Sequence, residues 1–470
     1  MMRKNREQQK NGMVRQLNLF EDQMKPANCQ EGRTGNENCT GVELLSQLEN
    51  QRTLTENSLE AVVDYGNLRK AYERVRQNKG SAGIDEMDVE TLGKWLSKNL
   101  LTFRETVLAE NFQPSPVRKV MISKPDGGER MLGIPTVKDR MLQQAVYQEL
   151  VRYYDPLFSE NSFGFRPGRN AHQAILQASR FISEGKEWVV DIDLEKFFDN
   201  VNHDRLMQRL SKGIGDKRLL RLIKSYLKSG IMTDGLTEQR IAGTPQGSPL
   251  SPLLSNIVLD EWDKEMEKRG HSFCRYADDC NIYVKSKKAG ERVMNSMVKF
   301  LEQKLKLKVN RKKSEVRHCT EVTFLGYTLL EGGNIRVSDK STKRLKDKVR
   351  EITRRNRGVS FEKLIKELNA VIIGWTNYFH LANCWYSNLR AIDGWIRRKL
   401  RCYRLKQCGR KYTIFKFLRN LGVAENTSWN VVMYSHGWWV MSNKQAVCKA
   451  LGIKWFAHMG LLSLSLRIER

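Results

Sequence analysis

Two short stretches decide how this chain is read: Trp188-Val-Val-Asp191-Ile-Asp193-Leu194-Glu-Lys-Phe-Phe198-Asp199 and Phe273-Cys-Arg-Tyr276-Ala-Asp278-Asp279-Cys-Asn-Ile-Tyr-Val284. The first is an apolar, strand-like run that ends in two acids spaced two apart, so both carboxylates point to one face. The second reads as two apolar strands joined by a turn that carries adjacent aspartates. Acids buried there are costly without partners. Carboxylates from two neighbouring strands repel one another unless divalent cations sit among them, and an all-oxygen ligand set selects hard ions such as Mg²⁺. Two such ions about 4 Å apart can clamp the attacking and leaving oxygens of a phosphoryl transfer.

Working outward from the acids, strand-like runs also appear at Val117–Ile122 and Thr323–Leu329. Helical patterns lie between them at Val137–Tyr154, Ala171–Ser183, Leu250–Lys268 and Glu291–Leu305. An amphipathic run from about Ser58 precedes them, ended by Asn78-Lys79-Gly80-Ser81-Ala82-Gly83. The layout is α+β. Residues 1 to about 55 are rich in Asn, Gln, Glu and Gly with little periodicity and read as a mobile extension.

The 470 residues include 81 Lys and Arg against 53 Asp and Glu, a formal net charge of +28. Ser338–Asn420 holds 22 of the bases and 6 of the acids, so +16 of that excess falls in 83 residues. Such a concentration suits a polyanion, and nucleic acid fits better than a membrane because no basic amphipathic anchor or long apolar run appears. Within it, Lys340–Arg357 has too few apolar residues for much of a core face and suits a phosphate backbone. A mostly helical part follows that contains seven of the ten tryptophans, most of them expected to be core. Nine scattered cysteines fit reduced thiols, and the polar N-terminus lacks a signal-peptide core, so a cytoplasmic protein is expected.

With these residues in view, Tyr276-Ala-Asp278-Asp279 resembles the active-site hairpin of reverse transcriptases, and the likeness continues in register. Lys124-Pro-Asp-Gly-Gly-Glu-Arg130-Met-Leu-Gly-Ile-Pro135 is similar to the fingers hairpin, and Ser162-Phe-Gly-Phe-Arg-Pro-Gly-Arg169-Asn-Ala-His172 to an insertion of bacterial intron enzymes. Gly243-Thr-Pro-Gln246-Gly247-Ser-Pro-Leu-Ser-Pro252-Leu-Leu-Ser-Asn256 looks like the loop under the incoming nucleotide, and Phe324-Leu-Gly-Tyr327 like the primer grip. Ile373-Gly-Trp375-Thr-Asn-Tyr-Phe379 resembles the maturase-specific region of group II intron-encoded proteins. The ordered set covers roughly residues 60–460 and is far more specific than any one motif.

The resemblance implies a right-hand polymerase with fingers, an antiparallel-sheet palm and a helical thumb, followed by a mostly helical maturase domain. The corresponding division is 1–57 for the extension, 58–337 for fingers and palm, 338–400 for the thumb and 401–470 for the maturase or RNA- or DNA-binding end. It implies Asp193, Asp278 and Asp279 as ligands of two Mg²⁺, with Mn²⁺ as a substitute and the Leu194 carbonyl as a further contact. Asp193 is preferred to Asp191 because the family places an aromatic five residues later, where Phe198 stands. Phe198 would face the sugar of a deoxynucleotide, and Lys124 and Arg130 the triphosphate. Gln246, Gly247 and Tyr276 would touch nucleotide or template, and Lys313 would protonate the departing pyrophosphate. Lys343, Arg344, Arg354, Arg355, Arg397 and Arg398 are the expected RNA contacts.

The implied activity is copying group II intron RNA into cDNA by target-primed synthesis, together with aid to intron folding and splicing. Its partners would be intron RNA, template-primer duplex, target DNA and dNTPs, with no membrane. Rival readings are a diversity-generating or defence-associated reverse transcriptase, or an RNA-binding splicing cofactor without polymerase activity. The intact aspartates weigh against the last. No C-x-x-C pair occurs, so zinc and the endonuclease of some intron proteins are not expected.

Overall fold

The computed structural model describes residues 58–123, 127–233, 236–238, 243, 247–384 and 386–468. In chain order the main elements are α1 (Ser58–Val62), α2 (Tyr65–Asn78), α3 (Val89–Leu108), β1 (Val117–Ser123), β2 (Glu129–Ile134), α4 (Val137–Tyr154) and α5 (Ala171–Ser183). There follow β3 (Trp188–Ile192), α6 (Phe197–Asn200), α7 (His203–Gly213), α8 (Lys217–Lys228), β4 (Ile231–Thr233), β5 (Leu236–Glu238), α9 (Ser251–Lys268), β6 (Ser272–Tyr276), β7 (Asp279–Val284) and α10 (Lys287–Lys299). The later elements are β8 (Glu315–His318), β9 (Tyr327–Leu329), β10 (Ile335–Val337), α11 (Asp339–Ile352), α12 (Phe361–Phe379), α13 (Tyr386–Cys408), α14 (Lys411–Asn420), α15 (Glu425–Met433) and α16 (Trp438–Met441). Three short helices close the chain: α17 (Gln445–Ala450), α18 (Ile453–His458) and α19 (Leu464–Ile468).

The chain forms two compact units. The first takes in the described residues through Ala174 and Val190–Val316; the second takes in Ile175–Val189 and the chain from Arg317. Residue 400 lies inside α13, a 23-residue helix that runs through Gly394 to Cys408 and stops ahead of Gly409 at φ 70°. The first unit holds a four-stranded sheet ordered β2-β1-β4-β5, with β1 and β2 antiparallel. A second sheet is ordered β6-β7-β3-β8 and carries both acidic stretches. Its middle strands are apolar almost throughout: Val190 and Ile192 on β3, and Cys280 and Ile282 on β7, are essentially inaccessible. Strands covered on both faces need that composition. The cover comes from α9, which packs on β6 and buries Leu253, Ile257, Trp262 and Met266, and from α10, which packs on β7 and buries Met297 and Val298. Helix α4 joins the same core through α2 and α9 with Met141, Leu142, Ala145, Val146 and Leu150. Thr136 caps α4 by accepting from the Asp139 amide, and Asp216 caps α8 while accepting from the Leu59 amide 2.9 Å away. The cap thus ties α1 into the same core.

Several elements differ from the sequence reading for local reasons. The run from Ser58 breaks after Val62 because Asp64 starts a new helix, accepting from the amides of Gly66 and Asn67. The strand expected from Thr323 begins only at Tyr327. Leu325 and Gly326 adopt positive φ in a tight turn that pairs Phe324 with Tyr327. The helix expected from Glu291 starts earlier, at Lys287, capped by Ser286, and closes in a single π turn over Phe300–Lys304.

In the second unit, α11 corrects the expectation for the basic segment. Leu345, Val349 and Ile352 form a buried stripe, so one face is core and the cations occupy the other. Buried Asp393 on α13 accepts from the amides of Leu464 and Ser465 and the hydroxyls of Ser463 and Ser465, which fastens α19 to α13. The tryptophans also depart from expectation. None of the six described among the seven is fully buried, and Trp429 and Trp439 are exposed.

Candidate active site

The β6–β7 hairpin presents the paired aspartates. Tyr276 pairs with Asp279 across the strands, so the turn consists of Ala277 and Asp278 alone. Ala277 has φ 60°, a conformation that two-residue hairpins usually give to glycine. Gly164, from the Ser162–His172 segment, packs directly on this turn: a Cβ there would lie 2.3 Å from the Ala277 nitrogen. That approach explains the glycine.

Asp193 follows β3 and is held by the Asn310–Ser314 turn. The Asn310 amide donates to the Asp193 carbonyl at 2.8 Å, and the Asn310 side chain donates to Asp193 Oδ2 at 2.9 Å. Ser314 Oγ accepts from the Asp193 amide at 3.0 Å, while the Leu194–Val309 bridge continues the pairing. Lys313 Nζ lies 3.9 Å from Asp193 Oδ2, with its side chain 69% exposed. Asn310 and Ser314 are functional candidates that sequence reasoning passed over. They sit within the Asn310-Arg-Lys-Lys-Ser314 stretch, where only the lysine was singled out.

The carboxylates form one electrostatic cluster. Burial raises the Asp279 carboxyl, and Asp191, Asp278 and Asp193 add to it, pushing its pKa up to about 8. Asp191 therefore belongs to the cluster. No three His, Cys, Asp or Glu side chains among the described residues converge closely enough to enclose an ion by themselves. Besides the burial of Asp279, repulsion from Asp191, Asp278 and Asp193 is what a divalent cation would relieve, so the all-oxygen donor set fits a hard divalent metal.

Around this cluster, Phe198 is 9% exposed and packs edge-on against Phe197. Gly243, at φ 89°, lies so close that a Cβ would meet the carbonyls of Phe198 and Asp199 at 2.8 Å. His203 Nε2, 2.7 Å from the Gly243 carbonyl, fixes the same contact. Gly247, at φ 110°, abuts the Gly133 carbonyl of β2, which brings its loop to the β1–β2 hairpin. Tyr276 is half-buried, and burial raises its phenol. Lys124 and Gln246 lie outside the described residues, as does the Arg130 side chain, whose backbone pairs with Ile122.

The second unit carries a different kind of surface. Lys343, Arg344, Arg354 and Arg355 are exposed, and Arg397 and Arg398 half-exposed. Arg398 lies over the Trp439 ring at 4.0 Å and Lys399 at 4.9 Å, while Arg350 and Lys399 both lie 5.6 Å from Trp395. Arg355 and Lys406 flank Trp438. Burial, and after it the charge of Arg350, with Arg355 and Arg398 adding less, lowers the Lys399 ammonium. Trp395, Arg397, Arg398 and Lys399 stand interleaved in the sequence, a pattern that marks this patch.

Residues 122–329 match the reverse transcriptase (RNA-dependent DNA polymerase) family, and residues 342–422 match the group II intron, maturase-specific domain. The chain belongs to the reverse transcriptases, RNA-directed, divalent-metal-dependent DNA polymerases. Within them it is of the group II intron type, a reverse transcriptase joined to a maturase domain that binds intron RNA. Protein YkfC of Escherichia coli is 32% identical over 287 residues, 53% of this chain and 75% of that protein. The group II intron-encoded protein LtrA of Lactococcus lactis is 28% identical over 342 residues, 58% of this chain, and the chain spans 57% of its length. A solved partial Cas6-RT-Cas1–Cas2 complex matches 55% of this chain and 43% of its own at 25% identity, with a TM-score of 0.35. Among the described residues no helix is long and apolar enough to cross a membrane.

Proposed function

We propose that this protein copies group II intron RNA into cDNA by target-primed synthesis and assists the intron's folding and splicing. The observation that carries the reading is the placement of Asp278 and Asp279 on the β6–β7 hairpin of the same sheet whose β3 leads into Asp193, with Asp193 held by Asn310. Asp193, Asp278 and Asp279 would hold two Mg²⁺, replaceable by Mn²⁺, with the Leu194 carbonyl as a further ligand. When bound, the metal neutralises phosphate oxygens and favours ionisation of the primer 3′-hydroxyl. Asn310 and Ser314 hold Asp193 in place throughout. Lys313, largely exposed beside Asp193, gives its Nζ proton to the departing pyrophosphate. Phe198 closes the space beside the sugar, favouring dNTPs. Lys124 and Arg130 bind the triphosphate, and Gln246, Gly247 and Tyr276 contact nucleotide or template.

Intron RNA occupies the basic surface of the second unit. Lys343, Arg344, Arg354, Arg355, Arg397 and Arg398 meet phosphates, and the half-exposed indoles stack on unpaired bases. Template-primer and target DNA share that charge. The test replaces Asp278 and Asp279 with Ala and follows cDNA synthesis beside protein-assisted splicing. Synthesis should be lost and splicing kept; synthesis at the wild-type rate would remove the metal assignment.

A further inference from the structure

Arg275, on β6 just before the aspartate hairpin, has a side chain that is 0% exposed and a guanidinium whose N–H groups are all engaged. Nε and Nη2 donate to the two carboxylate oxygens of Asp263 at 2.7 and 2.5 Å. Nη2 also donates to Ser162 Oγ at 2.7 Å, and Nη1 donates to Asn256 Oδ1 at 3.0 Å and to the Ala277 carbonyl at 2.8 Å. Asp263 is equally inaccessible. A buried ion pair is seldom the most stabilising way to fill a core, since apolar residues of like volume commonly serve as well or better. The distinctive feature of this pair is where its fork ends: on the carbonyl of the turn residue that holds positive φ.

The same network reaches the loop that packs on the turn. The Arg275 amide donates to the Asn161 carbonyl, and the Phe163 amide to the Arg275 carbonyl, each at 2.9 Å. Asn256, which accepts from Arg275, donates through Nδ2 to the Gly164 carbonyl at 2.8 Å. One guanidinium therefore fastens α9, the Ser162–Gly164 loop and the hairpin turn from below, while Gly164 closes on the turn from its side.

We infer that Arg275 is a positioning residue for polymerisation: by gripping the Ala277 carbonyl it fixes the direction in which Asp278 and Asp279 leave the turn. The inference rests on the proposed reverse transcription. Misplacement of a reacting group by about 1 Å can cost about 100-fold in rate, and Ala277 in its unfavourable conformation has reason to relax once released.

The experiment is RNA-templated primer extension by the full-length protein, with kcat, dNTP KM, Mg²⁺ half-saturation and thermal midpoint measured together. Arg275→Lys keeps a charge for Asp263 but cannot reach Asn256, Ser162 and Ala277 at once. Its kcat should fall about 100-fold with dNTP KM nearly unchanged and more Mg²⁺ needed. Arg275→Met combined with Asp263→Leu removes both charges, so the core should stay folded while the grip on Ala277 is lost; the same drop in kcat is expected. Ser162→Ala deletes a single acceptor and should lower kcat by about tenfold or less. Wild-type kcat in the folded double variant, or losses that merely follow a lowered thermal midpoint across the three variants, would overturn the inference. A wild-type protein without synthesis would instead overturn the reading beneath it.

Discussion

The two units use the same residue types in opposite ways. In the first, Arg275 and Trp262 are internal: Arg275 is enclosed by Asp263, Asn256 and Ser162, and Trp262 is 0% exposed beneath the acidic sheet. In the second, Arg398 and Lys399 lie over Trp439, which is 37% exposed, and Lys399 is surrounded by Arg350, Arg355 and Arg398. A saturated, buried cation orients a neighbour, whereas crowded cations beside half-wet indoles wait for an anion from outside. The first arrangement serves geometry and the second affinity, so perturbations should separate them.

The sharpest separation comes from the acids. Asp279→Ala should lower cDNA synthesis by more than about 1000-fold, because no other group supplies the lost charge, while intron RNA affinity, read by filter binding, stays within about twofold. A parallel fall in RNA binding would erase the contrast between the units. The reverse experiment uses salt. Between about 50 and 200 mM, RNA affinity should drop by roughly 1000-fold, whereas turnover on saturating template-primer changes far less. A flat salt profile would mean that the cations of α11 and α13 do not meet phosphate.

How far the sequence discloses this contrast differs between the units. Alternation, apolar runs and paired acids mark β3, β6 and β7, and α4 and α5 begin and end where their patterns do. A buried strand or helix announces itself because its neighbours are all apolar. Asn310, Ser314 and Arg275 stay hidden because their roles depend on partners between 2 and 121 positions away, and a lone polar residue carries no period. The core face of α11 was missed for a related reason: three apolar residues among many cations look sparse along the chain yet line up at helical spacing. The tryptophans mislead in the opposite direction, since hydrophobicity suggests a core and only the structure reveals the stacked cations.

Those stacks give the next prediction. Trp439→Ala removes a ring beneath Arg398 and Lys399, and an aromatic platform is worth about 1–3 kcal/mol per stacked base. Intron RNA binding should weaken about tenfold, with synthesis on an unrelated template unaffected. Trp439→Phe should recover much of the loss. Equal losses for Ala and Phe would point to packing of α16 rather than stacking.

The smallest effect tests the acidic cluster as a proton and metal competitor. The folded value for Asp279, about 8, lies above the ordinary 3.8 of an aspartate. As pH rises from about 4, the unfolded chain releases this proton before the folded one does, so metal-free stability declines until about pH 8 and then levels. Below that point an entering divalent ion must displace the proton; above it the carboxylates are already ionised and repelling. Mg²⁺ should therefore raise the thermal midpoint more at pH 9 than at pH 6, by an extra 2–4 °C or so if the linkage is worth about 1 kcal/mol. Asp279→Asn should flatten the metal-free profile between pH 4 and 8 and abolish the difference in Mg²⁺ response. Calorimetry with and without Mg²⁺ reads both. An equal Mg²⁺ shift at the two pH values would show that the ion binds away from Asp279, and would leave the first unit's acids without the metal that distinguishes them from the second unit's cations.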